Sequence, residues 1–317
     1  MDSHPLDKPV LARAEESGKS FRSGFVTLVG RPNAGKSTLL NAIMGKKIAI
    51  TSDTVQTTRH RFRAVLSRPG YQLVIVDTPG LHKPQDLLGE ELNAAALAAL
   101  ADVDVAAMLI DAAKPVGKGD VWVAGHLATA KAHKIAVVSK TDLTDKPTLA
   151  RQLSEVAALA PWDAVVPLSA ASGDNLDVFL TEVVSLLPEG PLWFPADMET
   201  DQPLEVMVAE FVREKVLRSF REEVPHAIGV KTDELEFLAA KRLYRIHATL
   251  FVERESQKGM IIGKNGARIK EMGTQARLDL EHLLGCRVFL DLKVKVKKNW
   301  RRDLAQIRRF GYGEGAY

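Results

Sequence analysis

The run Gly30-Arg-Pro-Asn-Ala-Gly-Lys-Ser37 has the residue types and the spacing of a loop that binds phosphate groups. Its glycines let backbone amides close around phosphate oxygens, and the helix that follows directs its positive end toward the anion. Lys36 would bridge the β- and γ-phosphates of a nucleotide, and the hydroxyl of Ser37 would ligate Mg²⁺. A glycine-rich turn can also simply cap a helix, but the apolar strand predicted before this run favours the phosphate loop.

Asp77-Thr-Pro-Gly80 also follows an apolar strand and would sense the phosphate that hydrolysis removes. Asp77 can hold Mg²⁺ through water, and the Gly80 amide can bind the γ-phosphate. Ras-like proteins orient the attacking water with a glutamine directly after this motif, whereas this chain has Leu81. A leucine cannot hydrogen-bond water, so we expect slow intrinsic hydrolysis that a partner or a switch backbone group stimulates. His82 is a weak candidate for a base, because phosphoryl transfer needs little base help.

Ser139-Lys-Thr-Asp142 lies at the end of the predicted strand 135–138 and would select the base of the nucleotide. The Asp142 carboxylate can accept hydrogen bonds from N1 and the 2-amino group of guanine, which adenine cannot offer. Lys140 would lay its aliphatic stem along the base, and Ser169-Ala170 would offer a backbone amide to the guanine 6-oxo group. These residues separate a guanine nucleotide site from the ATP sites that share the phosphate loop.

Gln56-Thr-Thr-Arg-His60 lies between the phosphate-loop helix and the next strand, where Ras-like proteins carry their first switch, a loop that responds to the nucleotide. A threonine there would close on Mg²⁺. The sequence does not decide between Thr57 and Thr58.

We therefore expect GTP or GDP with Mg²⁺, and Mg²⁺ ligation by Ser37, Asp77 and, as the working choice between the threonines, Thr58. Catalysis is expected to rest on Lys36, Thr57, Thr58 and Gly80. The expected nucleotide contacts are Gly30, Asn33, Ala34, Gly35, Lys36, Ser37, Thr38, Asp77, Gly80, Ser139, Lys140, Asp142, Ser169 and Ala170.

Apolar runs that alternate with helical stretches predict the elements that position these loops. Buried strands are expected at 25–29, 73–76, 105–110, 135–138 and 165–166, with an edge strand within 59–66. Helices are expected after Lys36 and at about 88–101, 120–132, 148–159 and 176–187. This pattern predicts an α/β domain with a mostly parallel sheet, covered by helices.

Four prolines between Pro188 and Pro203 indicate a linker to a second, smaller α+β domain. The expected organisation is a disordered tail over 1–22, a nucleotide domain over 23–188, a linker over 189–203, the second domain over 204–300 and a basic C-terminal helix or tail over 301–317. The stretch from Lys241 to Tyr317 holds 18 Lys and Arg against 8 Asp and Glu. Such an excess of positive charge is expected of a polyanion binder, although a solvated basic face would look the same.

Ile261-Ile-Gly-Lys-Asn-Gly266 lies between two predicted helices and has the Gly-x-x-Gly pattern of a KH domain, which clamps single-stranded nucleic acid. The pattern alone is weak, but the predicted order helix, strand, strand, helix, loop, helix, strand is that of the type II KH arrangement. The expected RNA contacts are Ile262, Gly263, Lys264, Asn265, Gly266, Arg268, Lys293 and Lys295. Four C-terminal arginines either clamp RNA phosphates or lie on a helix that docks on the domain: Arg301, Arg302, Arg308 and Arg309.

The segments 30–37, 56–60, 77–82 and 169–170 together resemble Ras-like GTPases of the translation-factor type and, more closely, the Era family of bacterial GTPases. The resemblance covers nearly the whole chain. It implies a P-loop GTPase domain followed by a type II KH domain. It also implies a GTPase whose nucleotide state controls binding of ribosomal RNA, near the 3′ end of 16S RNA, during assembly of the 30S subunit. One departure is Ser139, where the family normally has asparagine; we expect weaker loop coupling and retained guanine preference.

Other classes of function are less compatible with the sequence. A single cysteine, Cys286, allows no intrachain disulfide, residues 1–22 have no apolar core of a secretory signal, and no stretch approaches the length of a transmembrane segment, so a cytoplasmic protein is expected. A monomer is also expected, although the sequence carries no signal for oligomeric state. A kinase for a small molecule could use the same phosphate loop, but Asp142 argues against it. A second alternative is a membrane-surface regulator whose basic face binds anionic lipid at the cytoplasmic side of the inner membrane.

Overall fold

The computed structural model describes residues 20–52, 57–81, 83–84 and 86–312. Gln56, His82 and the predicted tail up to residue 19 lie outside the described residues. The chain divides into two compact units that do not follow the linear order of the sequence. The first unit comprises 1–49, 61–82 and 95–201, and the second comprises 50–60, 83–94 and 202–317. The linear boundaries expected from composition remain a prediction.

The first unit is built on a six-stranded sheet. Its strands are β1 (Arg22–Gly30), β2 (Phe62–Arg68), β3 (Tyr71–Asp77), β4 (Val105–Asp111), β5 (His133–Ser139) and β6 (Ala164–Pro167). They lie in the order β2-β3-β1-β4-β5-β6; β2 pairs antiparallel with β3, and the other pairs are parallel. Helices in the first part of the chain are α1 (Lys36–Met44), α2 (Leu87–Ala99), α3 (Lys118–Ala128), α4 (Lys146–Ala157) and α5 (Leu176–Leu186).

Helices on both faces explain why these strands are continuous apolar runs without polar alternation. Neighbouring residues of β1 point into two different cores: Leu28 packs in the cluster that contains Leu39 and Phe179, and Val29 in the cluster that contains Val123. Burial on both faces fixes the positions of the carboxyl ends of β1, β3 and β5. The predicted nucleotide loops follow these ends.

The second unit contains a three-stranded sheet with helices. Its elements are α6 (Leu204–Ser219), α7 (Glu223–Ala227), β7 (Gly229–Leu238), β8 (Leu243–Val252), α8 (Glu255–Ile262), α9 (Ala267–Leu284), β9 (Arg287–Val296) and α10 (Leu304–Arg309). The sheet order is β7-β8-β9, with β7 antiparallel and β9 parallel to β8. The predicted fold class, a mostly parallel α/β domain followed by a smaller α+β KH domain, is confirmed.

The chain after β9 docks within the second unit. Its large side chains are buried together with two leucines of α2; the members of this cluster are Leu88, Leu92, Trp300, Ile307, Phe310 and Tyr312. Arg301 forms ion pairs with Asp86 at 3.1 Å and with Glu253 at 2.9 Å. The segment therefore docks through its apolar side chains, and Arg301 is occupied by carboxylates of its own chain. Arg302, Arg308 and Arg309 are exposed, and their contact with RNA stays a prediction. In the described part of the chain, no helix has the length and hydropathy needed to span a membrane.

Candidate nucleotide and RNA sites

The phosphate loop joins β1 to α1 and depends on glycine at both ends. Gly30 has φ 144°, and a Cβ there would lie 2.5 Å from the carbonyl oxygen of Leu109. Gly35 has φ 98° and forms the N-cap of α1, where an added Cβ would make only ordinary van der Waals contacts, so its backbone conformation is what requires glycine. Asn33 also has a positive φ of 64°. The amides at the start of α1 are thus presented as an anion-binding end.

Lys36 lies buried at the centre of this loop. Its Nζ donates to the carbonyl oxygens of Gly30 at 3.2 Å and Arg31 at 3.1 Å. Burial lowers the pKa of Lys36 to about 8, and the charge of Asp77 partly opposes this effect. The negative charge of a polyphosphate would stabilise the buried ammonium group of Lys36, so the loop fits a nucleotide with its Mg²⁺.

The loop after β3 packs directly against the phosphate loop. A Cβ on Gly80 would lie 3.1 Å from Lys36 Nζ and 3.1 Å from the nitrogen of Pro32. The next residue, Leu81, donates its backbone N–H to the Gly30 carbonyl at 3.2 Å. Its side chain is only 1% exposed and belongs to a core cluster of the first unit. The structure therefore places the Leu81 side chain in the core, which gives a physical reason for leucine at a position where water-orienting glutamine is common in Ras-like proteins.

The predicted guanine-binding residues converge after β5 and β6. Ser139 is buried, and its hydroxyl lies 2.7 Å from the carbonyl oxygen of Ala34 and 3.1 Å from that of Ile110. This hydroxyl links the base-binding segment to the phosphate loop. Lys140 adopts a left-handed backbone conformation with φ 60° and forms an ion pair with Asp111 at 2.8 Å.

The Ser169 hydroxyl donates to the Asp142 carboxylate at 2.6 Å, which fixes the side chain predicted to bind the guanine edge. The Ser169 amide donates to the carbonyl of Asp174 at 3.1 Å. Of the pair Ser169-Ala170, the second residue is therefore our choice for the amide that contacts the 6-oxo group. Asp111 was not predicted from the sequence; its position directly after a buried strand, next to the base-binding strand, was the available signal.

Both candidate threonines of the first switch belong to the second compact unit. Thr57 Oγ1 donates to the carbonyl of Ser52 at 3.3 Å, and Thr58 is buried. The structure does not choose between them. Ser37, Thr38 and Asp77 lie in the first unit, so their joint action with a switch threonine stays a prediction.

The Gly-x-x-Gly loop connects α8 and α9. Gly263 has φ 70°, and a Cβ there would lie 2.8 Å from Arg268 Cβ; Gly266 has φ 76° and open space. Lys264 and Asn265 are exposed between them, and Asn265 also has a positive φ of 52°. Backbone and charge are therefore both accessible to a phosphate chain.

The helix that follows this loop packs closely on the edge strand β9. Ile262 and Ile269 are partly buried on the helix side, and a Cβ on Gly273 would lie 3.3 Å from Leu292 Cδ1, which shows how closely α9 approaches β9. Lys293 and Lys295 alternate with the inward residues of β9 and so lie on the opposite face of the sheet. The structure does not bring these two lysines together with the Gly-x-x-Gly loop.

Comparison with known families and proteins agrees with this geometry. Residues 25–140 match the model of a family described as 50S ribosome-binding GTPase, and residues 223–301 match the KH domain model. The chain is 47% identical to GTPase Era of Mycolicibacterium smegmatis over 296 residues, which is 92% of this chain and 99% of that protein. It is 48% identical to GTPase Era of Streptomyces coelicolor over 301 residues, with 92% and 95% coverage.

Two solved structures resemble the whole chain. A crystal structure of Era with MgGDPNP and nucleotides 1506–1542 of 16S ribosomal RNA has a TM-score of 0.89 and 38% identity, and the match covers 92% of this chain and 99% of that one. A point variant of Aquifex aeolicus Era bound to GDP·AlF₄⁻ matches with the same TM-score and identity, covering 92% and 100%. Because the relatives named Era are nearly half identical to this chain over almost its full length and theirs, this chain belongs to the Era family of GTPases.

Proposed function

We propose that this protein binds and slowly hydrolyses GTP and uses its nucleotide state to control binding of 16S ribosomal RNA during assembly of the 30S subunit. The observation that carries the proposal is the full-length similarity to the Era complex that contains both MgGDPNP and 16S RNA. The phosphate loop and the Gly-x-x-Gly loop of this chain both lie within the matched family segments.

Most of the residues proposed for GTP hydrolysis lie in the first unit, whereas the switch threonines belong to the second. Lys36 and the amides of the phosphate loop would hold the β- and γ-phosphates, and Ser37, Asp77 and a switch threonine would hold Mg²⁺. The metal neutralises charge that develops on the phosphates. Asp142 and the neighbouring backbone would select guanine. With Leu81 in the core, no glutamine follows Gly80 to orient water, so the intrinsic rate is expected to be slow.

The second unit supplies the RNA groove. The backbone of 263–266 would clamp phosphates, while bases would lie over the apolar side chains between α9 and β9. We place the protein in the cytoplasm with the ribosomal subunit. Peripheral contact with the inner membrane is a finer proposal, and flotation with anionic vesicles in the presence of competing RNA would test it.

The RNA assignment is tested with Gly266→Asp and a matched control, Gly285→Asp. Both glycines have positive φ, 76° and 62°, and neither has an atom within 4 Å of the added Cβ, so both substitutions cost similar backbone strain. Gly266 lies in the proposed phosphate clamp, and Gly285 caps the far end of α9.

We expect Gly266→Asp to weaken binding of an RNA of nucleotides 1506–1542 by about tenfold or more, because the added carboxylate repels RNA phosphates. Gly285→Asp should bind like the wild type. Equal losses in the two variants, or no loss in either, would contradict the placement of RNA at this loop.

A further inference from the structure

Buried charged side chains connect the first-switch segment to α6 within the second unit. The Arg213 guanidinium donates to the backbone carbonyl of Thr57 and to both carboxylate oxygens of Glu210. Burial alone would raise the pKa of Glu210, but the charge of Arg213, and then the contact with His60, reverse this and hold it well below its ordinary value. The ion pair is therefore fully charged at neutral pH, although both side chains are almost inaccessible to water.

The two residues after the switch threonines complete this arrangement. His60 Nδ1 lies 3.2 Å from Glu210 Oε1, and its Nε2 lies 3.0 Å from the carbonyl of Phe310. Arg59 is 1% exposed. Its guanidinium donates to the carbonyls of Ile228 at 2.5 Å and Pro225 at 3.2 Å. Residues 57–60 are thus held by α6, by the chain before β7 and by the C-terminal segment.

Aromatic rings cover the same guanidinium. Arg59 Cζ lies 5.4 Å from the ring centre of Tyr312 and 5.8 Å from that of Trp300. Burial, and then the nearby charge of Arg213, lower the pKa of Arg59 to about 10, so it remains a cation at neutral pH. A partly desolvated cation between rings and carbonyls has few acceptable alternative positions inside a protein.

Breaking any one of these buried contacts alone is costly. A buried ion pair adds little net stability when it is complete, but leaving one partner behind is costly. Residues 57–60 should therefore either keep all of these contacts or leave as a block. Replacing Glu210 and Arg213 together avoids leaving one of these two charges buried without the other, and it tests the contacts of residues 57–60 directly.

We propose that Glu210 and Arg213 are positioning residues for the first switch, and that their contact with Thr57 couples nucleotide state to RNA affinity. This inference rests on the proposed function, because it takes Thr57 or Thr58 as the residue that closes on Mg²⁺ with GTP. A threonine drawn toward Mg²⁺ changes the orientation of the peptide group after Thr57, and Arg213 holds the carbonyl of that peptide group to α6. The first helix of the RNA-binding unit therefore responds to the nucleotide.

The coupling must be reciprocal. If GTP changes RNA affinity by a given factor, RNA must change the affinity for GTP by the same factor. Allosteric couplings usually correspond to about 5- to 150-fold, which is readily measured.

The test compares Glu210→Gln/Arg213→Met with a matched variant, Arg277→Met/Glu281→Gln. The glutamine introduced at position 210 retains an oxygen for His60, and the methionine introduced at position 213 retains most of the apolar stem. The change therefore removes mainly the charges and the bond to Thr57. The control makes the same two replacements in an ion pair of 2.9 Å within α9, for which the structure shows no bond to residues 57–60. Full-length proteins are titrated with RNA of nucleotides 1506–1542, once with MgGDPNP and once with MgGDP.

We expect the ratio of the two RNA affinities to be about fivefold or larger in the wild type and in the α9 variant. In Glu210→Gln/Arg213→Met the ratio should fall to within about twofold of unity, and the effect of RNA on GDPNP affinity should fall equally. A ratio unchanged from the wild type would overturn this inference alone. A wild-type ratio of one would instead overturn nucleotide control itself, so the two failures are distinguishable. Thermal unfolding of each variant shows that the proteins compared are folded.

Discussion

Leu81→Gln tests whether the leucine after the Asp77-Thr-Pro-Gly80 motif faces the nucleotide and slows catalysis, or instead packs in the core. Its side chain is 1% exposed and packs in the cluster that contains Val29 and Met108. Its amide is fixed to the Gly30 carbonyl at 3.2 Å, so the backbone does not easily redirect the side chain toward a nucleotide. A glutamine at this position would place its amide group among apolar atoms.

The expected cost follows from two contributions. Burial of a leucine side chain stabilises a fold by roughly 1.5–3 kcal/mol, of which glutamine retains only part. A buried amide without hydrogen-bond partners costs roughly 1–3 kcal/mol more. We therefore expect Leu81→Gln to lower the free energy of unfolding of the first unit by roughly 3–5 kcal/mol and to leave the rate of GTP hydrolysis no faster than in the wild type.

Unfolding in urea is monitored by the release of bound fluorescent GDP, which reports on the nucleotide-binding unit. The rate of GTP hydrolysis is measured separately under single-turnover conditions. Leu81→Met is the control, because a swap that conserves volume and polarity should cost less than about 1.5 kcal/mol. If Leu81→Gln unfolds at the same urea concentration as Leu81→Met and hydrolyses GTP faster, residue 81 faces the nucleotide and its placement in the core is wrong.

Two further predictions concern the nucleotide loop. Because burial lowers the pKa of Lys36 to about 8 and phosphate binding needs the charged form, GDP affinity should be constant below pH 7 and fall about tenfold between pH 7 and pH 9. Lys36→Arg, which stays protonated, should show weaker binding without this pH dependence; a flat wild-type profile would contradict the argument. Ser139→Ala removes the hydroxyl that joins the base-binding segment to Ala34, so GDP release should accelerate by about three- to tenfold in stopped-flow measurements while preference for guanine over adenine persists. Ser139→Asn, with two N–H donors for the carbonyls of Ala34 and Ile110, should slow release, and equal rates in all three proteins would show that this contact does not hold the loop.

The nucleotide site could largely be predicted from the sequence because its chemistry is local. The geometry of 30–37 follows from glycine at positions that need positive φ, and the apolar runs on either side dictate buried strands. Asp142 and Ser139 follow one such strand, so their loop had to meet the phosphate loop at the same edge of a parallel sheet. The role of Leu81 as a core residue was less visible, since a single leucine in a loop gives no periodic pattern.

The buried charges of α6 could not be predicted in this way. Its apolar residues Val208, Phe211 and Val216 have helical spacing, and the charged residues between them suggest a solvated face. In the structure Glu210 and Arg213 are buried as well, because segments more than a hundred residues earlier and about a hundred residues later cover that face. Partners so distant in sequence leave no local signal.

The division of the chain into units helps explain how a slow GTPase could still act as a switch. The Asp77-Thr-Pro-Gly80 loop lies against Lys36, and the residue after it, Leu81, donates its N–H to the carbonyl of Gly30. Residues 50–60, which contain the first switch, and residues 83–94, which follow the Asp77-Thr-Pro-Gly80 loop, belong to the RNA-binding unit. A ligand changes a conformational equilibrium only through its different affinities for the two states. Under the proposed switch, a threonine of 57–58 that closes on Mg²⁺ would disturb contacts that the RNA-binding unit makes with residues 57–60, and RNA bound to that unit would act on the same contacts in return. Slow intrinsic hydrolysis is what such an arrangement requires, because the GTP state must last long enough for RNA binding to reach equilibrium.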